Sequence, residues 1–240
     1  MQLTIRFTAE QPIVLPLANA ELIQGLIYRA LRTDERYSLH VHENGESFDG
    51  RKFKLFTFGE LKGNYEVVDK DILYRDRIEL EIRSVDAYTI QLLLVYFTTN
   101  KIVQIGNNDV TVDDVRLEDL HVHEDAMVIR TLSPITVYVT EEDGHTRYFT
   151  PQDEQFYTGI IANARRKWAS HHDNDDGFVL RIRPAGNTRF IRRATRFKRT
   201  FITAWHGSFV LEGPSEVLDF LYQTGLGSKN SQGFGMFKLI

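Results

Sequence analysis

Hydrophobic and polar positions along this chain recur with two periods. Leu3, Ile5 and Phe7 alternate with polar neighbours, the period of a half-buried strand. Phe53 and Leu55, with Thr57, alternate against Lys52, Lys54 and Phe56, and Ile78, Leu80 and Ile82 do the same. Phe201, Trp205, Phe209 and Leu211 predict one face of a long late strand, and Met236 to Ile240 a last one. Four segments carry the helical period instead. Residues 19–32 place Leu22, Ile23, Leu26, Ile27, Ala30 and Leu31 on a broad apolar face. Asp86 caps a predicted helix running to about Asn100, with Ile90, Leu93, Leu94 and Phe97 inward. Thr150 and Pro151 suit the start of a third, through Trp168, whose core row is Phe156, Ile160, Ile161 and Ala164. Pro214 opens the last, and Gly225 closes it in a left-handed conformation.

The element order is strand, helix, strands, helix, strand, and then a similar set again. It predicts an α+β fold of two tandem ferredoxin-like (RRM-like, β-α-β-β-α-β) domains, residues 1–122 and 123–240, with the boundary between about 119 and 132. No sequence repeat accompanies this duplication, which rests on element order. Helices on one face of a sheet leave the other face free, where such folds often bind RNA.

Composition narrows the chemistry. The 240 residues are 42% hydrophobic and 26% charged, as in an ordinary globule. The chain has no cysteine, which excludes disulfides, a thiol nucleophile and Cys-ligated zinc or iron–sulfur sites. No apolar run approaches the roughly 18 residues of a membrane span. The opening MQLTIRFTAE lacks the basic-then-apolar pattern of a secretory signal, so a cytoplasmic location is expected. Net charge is −4, which by itself argues against a nucleic-acid partner. The mean hides a segregation: residues 1–120 carry 14 basic and 20 acidic side chains, residues 121–240 carry 15 and 13. Between Arg181 and Leu211 stand Arg181, Arg183, Arg189, Arg192, Arg193, Arg196, Lys198 and Arg199 with no acidic residue. Such a cluster suits a polyanion, and the Arg fork pairs with phosphate oxygens two at a time. The alternative is a solvated basic loop neutralised by Asp173, Asp175 and Asp176.

The stretch Gly225-Leu-Gly-Ser-Lys-Asn-Ser-Gln-Gly-Phe-Gly235 has the pattern G-Φ-G, five residues, G-Φ-G, with Φ apolar. Gly225, Gly227, Gly233 and Gly235 allow close approach of backbone N–H groups to a ligand. Ser228, Lys229, Asn230 and Ser231 add donors and one positive charge, a set suited to a phosphodiester backbone. No Gly-Lys-Ser/Thr precedes a helix, so this is not a Walker loop, nor is it a Rossmann fingerprint. A flexible hairpin is the plainer reading. This loop, just before a final strand, resembles the signature of the RAMP superfamily of CRISPR-associated RNA-binding proteins. Ile23-Gln-Gly-Leu-Ile-Tyr28, a downstream His, Lys54-Leu-Phe-Thr-Phe58, Ser133-Pro-Ile-Thr-Val137 and Thr203-Ala-Trp-His206 fall in an order and spacing similar to the endoribonuclease that processes the repeats of CRISPR precursor RNA. The resemblance spans nearly the whole chain and implies the same two-domain architecture.

It also implies a mechanism. A 2′-hydroxyl attacks the adjacent phosphate, one group takes its proton, another protonates the leaving 5′-oxygen, and cations stabilise the phosphate. The family does this with a His, often joined by a Tyr and a Lys, leaving a 5′-hydroxyl and a 2′,3′-cyclic or 3′-phosphate without metal or cofactor. His40 and His42, in Leu39-His-Val-His-Glu-Asn-Gly45, lie in the interval of the family's catalytic His; His42 matches the spacing to Gly best and His40 competes. Tyr28 stands on a ridge with Gln24 and Arg32 and would otherwise be a half-buried packing residue; it takes the place of the family's active-site Tyr. Lys54 matches the family's Lys before Leu-Phe-Thr, and Lys52 shares its parity. Arg189, Arg192, Arg193, Arg196, Lys198, Arg199 and the glycine-rich loop would hold RNA. His121 and His123 fall in a linker or strand, His145 in a polar hairpin turn, and His206 reads as structural or as an RNA contact. His171 and His172 beside Asp173 lack ligand spacing, and no metal site is expected. The expected partner is CRISPR repeat RNA, with a CRISPR effector complex as a further one; monomer and homodimer both stay open. Two rivals remain: a non-catalytic RNA-binding member of the superfamily, and an interaction module for an acidic protein.

Overall fold

Leu3, Ile5 and Phe7 form one fully buried row on β1 (Gln2–Thr8), the strand around which the first half is built. The computed structural model describes every residue except 40, 42–44, 198 and 199, and only the backbone of 47. After β1 come β2 (Ile13–Pro16), α1 (Ala20–Leu31), the short α2 (Glu35–Leu39), β3 (Glu46–Phe48), β4 (Arg51–Phe53), β5 (Phe56–Phe58), β6 (Lys62–Val68), β7 (Asp71–Ser84), α3 (Ala87–Thr99), β8 (Ile102–Ile105) and β9 (Asn108–Glu118). The second half has β10 (Ala126–Thr131), β11 (Tyr138–Thr140), β12 (Thr146–Tyr148), α4 (Glu154–His172), β13 (Arg181–Pro184), β14 (Ile191–Phe197), β15 (Thr200–His206), β16 (Ser208–Glu212), α5 (Ser215–Thr224) and β17 (Phe237–Leu239). The chain is α+β, as its periodicities predict.

Two sheets share one strand pattern. In the first, β9, β1, β7 and β5 lie side by side, extended by β8, β2 and β6. In the second the order is β17-β10-β16-β13. Each sheet thus sets its first and third principal strands at the centre, with a helix following each of them in sequence. α1 and α3 give Ile23, Leu26, Ile27, Ile90, Leu93 and Phe97 to the first core. α4 and α5 give Phe156, Ile160, Ala164, Leu218 and Leu221 to the second, against Ile129, Phe209 and Leu211. Phe53 and Leu55, early in the chain, also bury in the second core.

Three segments depart from the sequence reading. The strand expected at 52–57 is two, β4 and β5, because the chain turns at Lys54 and Leu55; Phe56 is therefore buried with Thr57. The long late strand is also two. Gly207, where a Cβ would lie 2.5 Å from the Phe190 ring, separates β15 from β16 and shifts the side-chain parity. On β15 the buried row is Ile202 and Ala204, while Phe201 is 74% exposed. α4 starts at Glu154, not Thr150, since Asp153 is its cap; it continues past Trp168 to His172.

The first half's surplus acid sits largely on its sheet, in ion pairs. Arg116 reaches Asp114 (3.1 Å) and Glu79 (3.4 Å), Arg6 lies near Asp113 (3.9 Å), and Lys62 bonds Glu81. These exposed pairs neutralise the surface more than they stabilise it.

The halves are joined by buried polar contacts. Arg83 on β7 is 2% exposed; its Nε donates to Gln2 Oε1 (2.7 Å), its Nη1 to the Phe237 carbonyl (2.6 Å), and its guanidinium lies 3.8 Å from the Tyr222 ring centre. Ser133 Oγ donates to the Phe58 carbonyl (3.2 Å), and the Met1 ammonium donates to Gln223 Oε1 (2.7 Å). The connecting segment is pinned by His121, whose ring nitrogens lie 2.9 Å from Asp219 Oδ2 and 3.1 Å from Asp119 Oδ1. Arg83→Met leaves two buried acceptors unpaired and should lower unfolding free energy by about 2–3 kcal/mol in urea titration. The hydrogen bond that His121 donates to Asp219, and then the Asp219 charge, hold the His121 pKa above its ordinary value. Folding therefore favours the imidazolium: its contribution is complete below the unfolded-state pKa and disappears as pH rises through the higher folded one. His121→Gln should accordingly lower the urea midpoint at about pH 5.5 and leave it unchanged near pH 9.

Candidate nucleic-acid interface

Between the halves lies a cleft of about 830 Å³. Its first wall is α1, where the one-turn spacing of Gln24 and Tyr28 sets both side chains toward the opening. Its second is the β3–β4 hairpin and the turn after it, which supply Arg51, Lys52 and Lys54. The glycine-rich segment forms the third, with Ser228, Lys229, Ser231 and Gln232, and Asn163 and Lys167 of α4 lie behind it. Phe197, Thr200 and Ile202 complete the rim from the β14–β15 hairpin.

Tyr28 and Lys54, from different elements, meet here: Lys54 Nζ lies 5.0 Å from the centre of the Tyr28 ring. The ring packs edge-on against Phe56 at 6.2 Å. Burial pushes the Tyr28 phenol well above its ordinary pKa, so it stays protonated at neutral pH and can offer a hydrogen bond but neither a proton nor a phenolate base. Gln24 Nε2 donates to the Ser231 carbonyl (2.6 Å), tying α1 to the loop. Lys229 stands over the Tyr138 ring at 5.0 Å and holds a left-handed backbone, φ +63°, rare outside glycine. His40 and His42 lie outside the described residues, as do Lys198 and Arg199.

The loop is arranged differently from the sequence reading. Its glycines serve packing more than approach to a ligand. The N–H groups of Gly225, Gly233 and Gly235 already donate to Leu221, Asn230 and Pro134 carbonyls. All four glycines have positive φ, and at Gly235 a Cβ would come 1.9 Å from the Leu226 carbonyl oxygen. Asn230, expected to face phosphate, points inward: its Nδ2 donates to Leu226 and Phe234 carbonyls (2.9 and 3.0 Å) and its Oδ1 accepts from Lys167. Ser228, Lys229 and Ser231 keep the cleft side.

Lys167 was missed because it falls next to the apolar row of α4 and reads as an ordinary helix lysine. It is 1% exposed. Its ammonium donates to the carbonyls of Thr224 (3.1 Å) and Gly225 (2.5 Å) and to Asn230 Oδ1 (2.9 Å). Burial pulls its pKa down to about 7, against which three acceptors, two at the negative end of α5, favour the charged form. A lysine buried by partners 57 to 63 positions away has no sequence signature.

The described part of the basic segment is spread over three places, and its described arginines do not line this cleft. Arg181 and Arg183 lie on β13, the latter 3.3 Å from Glu212. Arg189 lines a separate depression with Arg130 and His206. Arg192, Arg193 and Arg196 are on β14; Arg193 and Arg196 line a groove of about 410 Å³ with Tyr65, Phe201 and Phe234. Arg196 lies 5.9 Å from the Phe201 ring centre. His206 bonds Thr131 Oγ1 (3.0 Å) and lies 3.4 Å from Glu60. His171 and His172 pack on Phe220 and Trp168. Among the described residues, no three His, Asp or Glu side chains converge as metal ligands, and no helix is long and apolar enough to cross a membrane.

Comparison with known proteins gives a family and a fold. The family profile described as CRISPR associated protein Cas6, C-terminal, matches residues 117–239. CRISPR-associated endoribonuclease Cas6 1 of Methanocaldococcus jannaschii is 23% identical over 98% of this chain and 91% of its own length. CRISPR-associated endoribonuclease Cas6 of Pyrococcus furiosus is 26% identical over 100% and 90%. Two solved structures share the fold. The product of a Cas6-related gene from Pyrococcus furiosus has TM-score 0.85 at 21% identity, covering 100% of this chain and 98% of that one. A chain described as a RAMP protein binding different RNA substrates has TM-score 0.83 at 20% identity, covering 100% and 99%. Gly235→Ala forces both a positive φ and a backbone clash on a Cβ, and should lower the melting midpoint by several degrees, about 4–8 °C per kcal/mol lost in a domain of this half's size.

Proposed function

The chain belongs to the family of CRISPR-associated protein Cas6, and on that premise we propose that it is an endoribonuclease that cuts CRISPR precursor RNA within its repeats. The observation that carries the reading is the cleft in which Tyr28 and Lys54 of the first half face Ser228, Lys229 and Ser231 of the second. A strand laid between the walls meets cations on one side and hydroxyl and ammonium donors on the other. Two ferredoxin-like domains, divided near residue 122, account for those walls, and the repeated strand order supports that division.

Cleavage is by attack of the 2′-hydroxyl on the adjacent phosphate, with no metal. His42, with His40 as its competitor, moves the protons. Lys54 stabilises charge on the phosphate, and the Tyr28 phenol donates a hydrogen bond to the same centre. The products carry a 5′-hydroxyl and a 2′,3′-cyclic or 3′-phosphate. Ser228, Lys229 and Ser231 hold the backbone. Arg193 and Arg196, beside the exposed Phe201, offer RNA a second point of contact outside the cleft, with stacking on the ring.

Labelled repeat RNA incubated with the protein in EDTA should be cut at one position. His42→Ala should retain RNA and slow cleavage by about 10²–10⁴-fold, while Lys54→Ala should slow it by about 10²-fold. A His40→Ala variant with the larger loss would move the proton-transfer role to His40. Retention of RNA by the wild type without cutting would make the protein a binder and not an enzyme.

A further inference from the structure

Lys167 is a cation buried behind the cleft, and nothing in the cleavage chemistry uses it. Its three donors are matched by three acceptors in a fixed arrangement. One is the last carbonyl of α5, which no helical N–H satisfies, and one is that of its C-cap, Gly225. The third is Asn230, whose amide in turn fixes Leu226 and Phe234 on the two arms of the glycine-rich loop. One ammonium therefore joins α4, the end of α5 and both arms of the loop. Asn230 directly follows Lys229, whose left-handed backbone must be held by its surroundings. An apolar side chain of equal length would fill the space but remove the donor shared by the three acceptors, leaving Asn230, beside Lys229, held by its own amide and the backbone alone.

We propose that Lys167 is the positioning residue of the RNA-holding loop: its hydrogen bonds to Thr224, Gly225 and Asn230 set Lys229 and its neighbouring serines against the RNA backbone. It touches no RNA and acts through the loop. The inference deepens the endoribonuclease reading and rests on it for its substrate. Because Tyr28 and Lys54 come from other elements, the rate of the chemical step should not depend on Lys167.

The test compares wild type, Lys167→Met, Lys229→Ala and the double variant, with labelled repeat RNA. Lys167→Met should raise KM and the dissociation constant about tenfold, the scale of one lost charge-assisted contact. It should leave kcat at saturating RNA within about twofold. The slope of log Kd against log salt should fall by about one phosphate contact, as in Lys229→Ala, and the double variant should lose no more. Global destabilisation alone would reduce the active fraction, and with it the apparent kcat, without changing KM or the salt slope. If Lys167→Met does not fold, Lys167→Gln, which keeps a polar group in the site but not the three-donor ammonium, is read by the same KM and salt slope. Unchanged KM and salt slope in a folded variant, or additive losses in the double variant, would overturn the proposal. Failure of the wild type to cut repeat RNA would instead count against the endoribonuclease reading, and the binding measurements would still decide the role of Lys167.

Discussion

The cleft exists because two sheets are held at one fixed relation, and Arg83 is the interaction on which that relation turns. A guanidinium 2% exposed is costly to bury, and burial lowers its pKa. The ordinary value for arginine is so high that it stays charged, which is why Arg and not Lys suits this place. Gln2 fixes it within the first sheet, and the Phe237 carbonyl and the Tyr222 ring receive it in the second half. Ser133 and Gln223 extend the seam with neutral hydrogen bonds. Phe53 and Leu55 cross the same seam as apolar plugs, and Lys54 between them is left facing the cleft. Placement of that lysine is a by-product of burying its neighbours.

Two buried cations thus organise the molecule, Arg83 between the halves and Lys167 behind the loop. Both donate their hydrogen bonds to neutral oxygens, with the Glu81 and Glu118 charges near Arg83 acting without a direct bond. A carboxylate partner would cancel the charge; carbonyl oxygens keep it while giving direction. At Lys167 the direction is set by the end of α5, whose orphan carbonyls need donors anyway. Rigid glycine turns follow from this anchoring. The loop's arms pass so close that Gly235 leaves no room for a Cβ, and the amide of Asn230 bridges them.

Much of this was legible in the residue pattern. Leu3, Ile5 and Phe7, the apolar face of α1 and the Asp86 cap all lie where periodicity puts them. The Gln24–Tyr28 ridge and Lys54 do share a cleft with the serines and lysine of the loop. What pattern could not supply was where a strand breaks. Lys54–Leu55 and Gly207 each shift the side-chain parity, so Phe56 went inside and Phe201 outside. The basic run was visible as charge density, but a hairpin and an edge strand disperse it to three surfaces. Lys167 was hidden because its environment is made by residues 57 to 63 positions further along the chain. The glycines announced a special loop correctly; their physical reason is crowding within the loop.

The Arg83–Phe237 bond spans 154 residues of sequence. During synthesis at about 5–20 residues per second, Arg83 leaves the ribosome roughly eight to thirty seconds before its acceptor. Through that interval the first sheet can form with Arg83 held by Gln2 alone, while Phe53 and Leu55 wait for the second core that they fill. The Phe237 acceptor on β17 is among the last residues made, so this contact between the halves closes only when almost the whole chain is out.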